Sequence, residues 1–335
     1  MENRTDFLSA ASPSKRESQK ALKARRRDPR FCRGHAGLSQ PFSVLGEIPN
    51  ERRVTVHGPS IGSLVILREV MSPQSSDKDK GRATRAAYER NVAYKVETVS
   101  ERENEQSANY TDRLLHEKLN VVRRHLQSGR LVDLCCATAQ HIWSVRRPDQ
   151  ETIGLDFSIP FLLAAEKTRL ANRAKAVTFV AADARALPLA SGSVGTLYSL
   201  SALYQVPDLE KVVAEISRVL RKGGRCILDL GNSRSINSFC VRRYYTELPR
   251  SHAIPVARMR ELFAQNKLRI IEHRAFQILP LWAGRPRWLL PLLHPIWKQL
   301  LAKRLAGRML DEWVSSFPPL KPFAFRHVIV GEKVG

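Results

Sequence analysis

The chain's 335 residues, 43% of them apolar, suffice for one or two domains with a sizeable core. Its net charge of +23 suits nucleic acid, an anionic membrane surface or a merely solvated basic exterior. Five cysteines without a CxxC pair argue against a disulfide framework or a zinc ribbon, and no metal site is expected. No apolar stretch reaches eighteen residues and the first thirty lack an apolar core, so neither a spanning helix nor a signal peptide is expected. The expectation is a cytoplasmic protein, at most peripheral at the inner face of the membrane.

Residues 1–85, with Arg25-Arg26-Arg27 and scattered Ser, Pro and Gly, read as a basic, largely disordered extension. Within it, 63–67 reads as a short strand without an obvious partner. Met71, followed by a polar Ser-Pro-Gln-Ser-Ser-Asp-Lys stretch, has the look of an ordinary protein start, and translation is expected to begin there. The core is expected over 86–276. Leu114, Leu115, Leu119, Val122 and Leu126 predict a helix over 111–126, capped by Thr111 and ended by Gly129. Strands are then expected at 131–134, 152–155, 177–180, 194–199 and 225–230. Helices are expected at 140–146, 160–172 and 209–220, with a turn at Lys222-Gly223-Gly224. A helix at 256–265, a strand at 268–276 and a final strand within 323–335 complete the pattern. Such alternation implies an α/β fold: a doubly wound, mostly parallel Rossmann-like sheet. The two late strands form an antiparallel C-terminal edge hairpin, and 277–322 is a helical insertion between them.

The run Leu131-Val132-Asp133-Leu134-Cys135-Cys136-Ala137-Thr138-Ala139-Gln140-His141 is an apolar strand, an acid, a loop of small side chains and a helix start. In open α/β sheets an adenosine-type cofactor lies just past such a strand end. Small side chains there let a ligand approach the backbone. Asp156 ends the second strand 23 residues after Asp133, as a ribose acceptor would. Asp183, with the Ala184 amide beside it, follows the third strand and can meet the adenine amine. Asp133 and the loop 135–139 are placed for the methionine end of S-adenosylmethionine. Each aspartate alone is more often a cap or a surface charge. The three together, in order and on strand ends, point to that cofactor.

Segments 131–141, 153–158, 178–188, 194–208 and 217–230 together resemble class I S-adenosylmethionine-dependent methyltransferases of the group with a methyltransferase-11-type domain. Arg218-Val219-Leu220-Arg221-Lys222-Gly223-Gly224-Arg225 and Val206-Pro207-Asp208-Leu209 are similar to strings of that group. The resemblance covers about 110–235 well and 250–335 loosely. It implies that Asp133, Cys135, Ala137 and Ala139 line the methionine end, Asp156 holds ribose and Asp183 meets adenine. Phe157, Ala184 and Ser199 complete the implied cofactor set. The chain departs from the family where glycines are usual, at Cys135, Ala137 and Ala139, and at Gly195, where an acid is common.

Methyl transfer is an in-line displacement for which positioning supplies most of the acceleration. Tyr204 and Gln205 stand where relatives often place histidines, and Tyr204 is as readily a packing residue. His141 opens the helix after the loop and is a second catalytic candidate, or a surface cap. His294 and His327 are further candidate bases. The insertion 277–322 holds four of the five tryptophans, an apolar Leu289-Leu290-Pro291-Leu292-Leu293 run and many cations. It reads as a lid, a helical cap or a contact with anionic membrane. The expected function is methyl transfer to a small or lipid-linked acceptor, such as a quinone-like ring or a glycan. An RNA methyltransferase is the first rival, but no Asn/Asp-Pro-Pro-aromatic string and no Pro-Cys supports it, so nucleic acid is disfavoured. A non-catalytic binding protein with a degenerate cofactor loop is the second.

Overall fold

The computed structural model describes residues 109–246, 251–281 and 285–335, together with the backbone of two strands at 53–58 and 61–67. The elements run β1 (Arg53–Gly58), β2 (Ile61–Leu67), α1 (Tyr110–His125), β3 (Leu131–Leu134), α2 (Gln140–Val145), β4 (Thr152–Asp156), α3 (Ile159–Ala171), β5 (Val177–Ala181) and β6 (Val194–Ser199). They continue with α4 (Leu209–Val219), β7 (Leu220–Gly231), α5 (Ile236–Tyr244), α6 (Val256–Gln265) and β8 (Leu268–Phe276). The insertion contains α7 (Leu290–Leu293), α8 (Pro295–Leu301), the short strands β9 (Arg304–Leu305) and β10 (Arg308–Met309), and α9 (Leu310–Ser316); β11 (Arg326–Lys333) closes the chain.

One sheet of nine strands has the order β1-β2-β5-β4-β3-β6-β7-β11-β8. Strands β2, β5, β4, β3, β6 and β7 are parallel to one another, and β11 is antiparallel to both β7 and β8. The expected doubly wound sheet and antiparallel edge hairpin are therefore present. The two outermost strands were less legible. The predicted partnerless strand at 63–67 belongs to β2, which pairs antiparallel with β1 and in parallel with β5 at Val65↔Val180 and Ile66↔Ala181. The rest of the predicted extension, including the expected start at Met71, lies outside the described residues.

Apolar alternation divides the core between the sheet's two faces. Val132, Leu134, Leu155, Leu197 and Leu228 pack with α4 and α6. Leu131, Tyr198, Ile227 and Val328 pack beneath α1. Helix α1 begins one residue earlier than predicted, because Asn109, not Thr111, is its cap: the Asn109 side chain accepts from the Thr111 amide at 3.1 Å. Strand β7 absorbs the predicted turn at 222–224. Its pairing with β6 jumps from Val194↔Leu220 to Thr196↔Arg225, so residues 221–224 bulge, with Gly223 at φ 71°.

The loop between β3 and α2 turns left-handed at three residues that are not glycine: Cys135 (φ 62°), Ala137 (φ 48°) and Ala139 (φ 58°). An L-residue there costs about 1–2 kcal/mol. The loop is held by its neighbours on β4. The Cys136 amide donates to Leu155 O at 3.0 Å, and the Ala137 amide donates to Asp156 Oδ2 at 2.9 Å.

On the edge hairpin, His273 Nε2 lies 2.8 Å from His327 Nδ1, and His327 Nε2 lies 3.1 Å from Ala324 O. Burial pushes these imidazoles down to about 3 and about 4, with Lys321 adding to the shift at His273. His327, a candidate base in sequence, is thus committed to the sheet. His294, the other such candidate, is an exposed cap of α8 that accepts from the Ile296 amide at 3.3 Å.

Ala137→Gly relieves the left-handed strain and stabilises the protein by about 0.5–1 kcal/mol in urea denaturation, net of glycine's greater unfolded-chain entropy. Ala139→Gly is near neutral, because Ala139 is fully buried and the lost methyl, worth about 0.8 kcal/mol, offsets the relief; destabilisation by both variants contradicts the strain. Gly195→Ala costs about 2–3 kcal/mol, since its Cβ would stand 2.1 Å from the Ser128 carbonyl oxygen; an unchanged denaturation midpoint contradicts this. Between about pH 6.5 and about pH 4 the unfolded chain binds protons that the paired histidines refuse, so stability falls as pH falls through that window. His273→Asn should flatten the fall in melting temperature over that range, and an unchanged slope contradicts the pairing.

Candidate functional site

The three predicted aspartates lie at the carboxyl ends of β3, β4 and β5, adjacent parallel strands. Asp133 is in register with Gly154 of β4 and Tyr198 of β6, and Asp156 with Ala181 of β5. All three carboxylates act on one side chain. Burial first, then Asp156, Asp133 and Asp183 in turn, push the Cys135 thiol well above its ordinary range. Cys135 is therefore a protonated, half-buried side chain.

The acids differ in how they are held. Asp133 is buried, and its Oδ2 has no hydrogen-bond partner. Burial pushes its carboxyl up strongly; the Tyr198 hydroxyl opposes that and Asp156 adds to it. Asp156 is also buried, but both its oxygens accept backbone amides: Oδ2 from Ala137 and Oδ1 from Ser158, each at 2.9 Å. Asp183 is partly exposed and bound in bidentate fashion by Arg185, with Nη2 to Oδ2 at 2.7 Å and the Arg185 amide to Oδ1 at 2.8 Å. Burial works against ionisation of Asp183, but Arg185 outweighs it and holds the carboxyl below the usual range. The sequence did not announce this clamp on the predicted adenine contact. Ala184 is buried beside it, and the Ser199 hydroxyl at the end of β6 is buried without a partner.

Further along the same end of the sheet is a charged cluster that sequence reasoning missed. Lys118 of α1 donates to Asp229 Oδ2 of β7 at 2.8 Å, and Arg326 of β11 donates to the same oxygen. The Ser201 amide adds a bond at 3.0 Å. Lys118, Asp229 and Arg326 are all buried, and Asp229 Oδ1 and Arg326 Nε have no partner. Burial pushes the Lys118 ammonium down to about 8, with Arg326 opposing protonation and Asp229 favouring it. Burial also works on Asp229, but the two cations hold it down to about 2. The signal for Lys118 was present: it stands four residues from both Leu114 and Val122, a charge within the apolar stripe of its helix.

The two catalytic candidates adjoin this cluster. Tyr204 lies in a short 3₁₀ turn, Leu203–Gln205, with the Arg326 guanidinium 4.5 Å above its ring and Phe325 in edge contact at 5.6 Å. Its hydroxyl accepts from Gln205 Nε2 at 3.2 Å. His141 is half-buried in the first turn of α2, and burial, reinforced by Lys118, pushes it down to about 4. It is neutral at physiological pH.

Residues 132–228 match the family model described as a methyltransferase domain. Over 100 residues, 29% of this chain and 40% of the relative, the sequence is 34% identical to a demethylmenaquinone methyltransferase of Lactococcus lactis. Over 106 residues it is 40% identical to a malonyl-[acyl-carrier protein] O-methyltransferase of Alcanivorax borkumensis, covering 31% of this chain and 35% of that protein. The chain thus spans less than half the length of these curated relatives. One chain of a Haloferax volcanii complex between the Trm112 methyltransferase activator and a methyltransferase superposes with a TM-score of 0.51 at 16% identity, covering 75% of this chain and 98% of that one, a likeness of fold. With the strand order and the acids on successive strand tips, the match over 132–228 identifies this part of the chain as a class I S-adenosylmethionine-dependent methyltransferase domain.

Proposed function

We propose that the chain transfers a methyl group from S-adenosylmethionine to a small or lipid-linked acceptor, a quinone-like ring or a glycan. The observation that carries this reading is the placement of Asp133, Asp156 and Asp183 at the ends of three adjacent parallel strands, beside two buried polar atoms that lack partners, Asp133 Oδ2 and Ser199 Oγ. Unpartnered buried polar atoms are uncommon in folded proteins, and two at one crevice fit a polar ligand.

In this reading Asp156 receives the ribose hydroxyls, with Phe157 following it at the strand tip. Asp183 and the Ala184 amide meet the adenine, and Arg185 fixes the orientation of Asp183. Asp133, Cys135, Ala137, Ala139 and Ser199 surround the methionine end. The bound cofactor supplies an electrophilic sulfonium methyl. Lys118, Asp229 and Arg326, with Ser201 and Tyr204, form the acceptor side and orient the acceptor. His141 binds protons too weakly to be a strong base and serves as a hydrogen-bonding contact. Without a strong base, the arrangement suits an acceptor whose own resonance makes it acidic. The similarity to a demethylmenaquinone methyltransferase supports a quinone-like ring. The domain reading that accompanies it is a core over 86–276 completed by 323–335 and extended at one sheet edge by β1 and β2, with 277–322 as an insertion.

Isothermal titration with S-adenosylmethionine tests the assignment. The wild type should bind one equivalent. Asp156→Ala, checked for folding by circular dichroism, should lose about 1.5–3 kcal/mol of binding free energy, about tenfold to a hundredfold in affinity. Affinity within twofold of wild type contradicts the role of Asp156, and a wild type that does not bind the cofactor contradicts the proposed function.

A further inference from the structure

The insertion places its residues against the usual rule for a water-soluble surface. In α9 the charged and polar side chains Asp311, Glu312 and Ser315 are buried, while Trp313 and, one turn on, Phe317 face outward, at 43% and 56% exposure. Asp311 accepts the Gln277 amide at 2.6 Å, and Arg274 Nε lies 3.1 Å from Glu312 Oε1. Helix α8 buries Leu301 but leaves Ile296 exposed by 58%. Leu305, at the tip of the β9–β10 hairpin, is 62% exposed and adjoins Trp313, whose indole N–H donates to Leu305 O at 2.9 Å. Ten of the fifteen large apolar side chains exposed among the described residues fall within 288–323, so the exposure is concentrated in one segment.

The charge of the same segment is one-signed at the surface. Residues 285–323 carry seven Lys and Arg and two acids, Asp311 and Glu312, and both acids are buried. Arg287, Lys298 and Lys303 are exposed beside the apolar side chains. A second protein would have to match an extensive apolar face with an acidic rim. An anionic bilayer offers both in one partner: acyl chains for the aromatic and aliphatic side chains, and headgroup phosphates for the cations. Among the described residues no helix is long and apolar enough to cross a membrane, so contact would lie in the interfacial plane.

We propose that the outward face of 288–323 docks the protein on an anionic lipid surface, with Trp288, Ile296, Leu305, Trp313 and Phe317 entering the interface and the flanking Lys and Arg engaging headgroups. This deepens the lipid-linked arm of the proposed function and rests on it only for what the docked enzyme methylates.

Sedimentation of the full chain with vesicles of phosphatidylcholine alone, or of phosphatidylcholine and phosphatidylglycerol in 3:1 ratio, tests the inference. The protein should pellet with the mixed vesicles and about tenfold less with the zwitterionic ones. The double variant Leu305→Gln and Phe317→Gln leaves charge unchanged and alters two exposed positions, so it should fold as wild type by circular dichroism. It should lose about tenfold in partitioning to the mixed vesicles. Wild-type protein that stays in the supernatant overturns the proposal, as does a double variant that pellets equally, which would assign binding to charge alone. Self-association of the wild type in sedimentation velocity, abolished in the double variant and without vesicle binding, also overturns it, by making a second copy the occupant. Parallel titration with S-adenosylmethionine separates the two readings: cofactor binding without vesicle binding refutes the docking face alone, and vesicle binding without cofactor binding refutes the methyltransferase reading alone.

Discussion

The carboxylate of Asp156 holds together what the rest of the crevice needs. By accepting the Ala137 amide it fixes the loop after β3 in a left-handed path that Cys135, Ala137 and Ala139 disfavour on their own. By accepting the Ser158 amide it fixes the entry to α3. One side chain therefore couples the tip of β4 to both flanking connections. The loop's alanines serve where glycine would be less strained, because neighbouring strands supply the bonds that hold them.

A second polar system lies across the sheet. Lys118, Asp229 and Arg326 come from α1, β7 and β11, elements distant in sequence, and meet in the interior. Removing one partner from such a group leaves an uncompensated buried charge, so the cluster ties α1 to the sheet as well as shaping the end where an acceptor would lie. Asp229 Oδ1 and Arg326 Nε remain without partners, one an acceptor and one a donor. Tyr204 packs against Arg326, which links the 3₁₀ turn after β6 to the same group.

Much of the fold was legible because its signals are local. Strands 131–134 and 194–199 and helix 256–265 coincide with β3, β6 and α6, since each is bounded by turn residues and carries an unambiguous period. Helix α5 was not foreseen: its sequence is polar and short, and Ser235 and tertiary packing of Cys240 on Leu289 set it in place. The pairing of β2 with β5 is a contact across more than a hundred residues and leaves no periodic trace. In the site, the order of the acids on strand tips could be read directly. What could not be read was which acids were already engaged: the clamp of Arg185 on Asp183 depends on a side-chain path, and the Lys118–Asp229–Arg326 cluster on three remote elements. The left-handed backbone at the alanines was legible only through the family resemblance, which has glycine at these positions, since alanine itself seldom adopts that conformation.

The central claim is that the crevice around Cys135, bounded by Asp133, Asp156 and Asp183, receives the nucleoside of the cofactor. A crystal structure of the protein soaked with S-adenosylhomocysteine tests this most directly. The account requires density for the ribose with its hydroxyl oxygens about 2.6–3.2 Å from the Asp156 carboxylate and the adenine beside Ala184. Ligand density elsewhere on the molecule, or an Asp156 that makes no contact with a bound nucleoside, would contradict it.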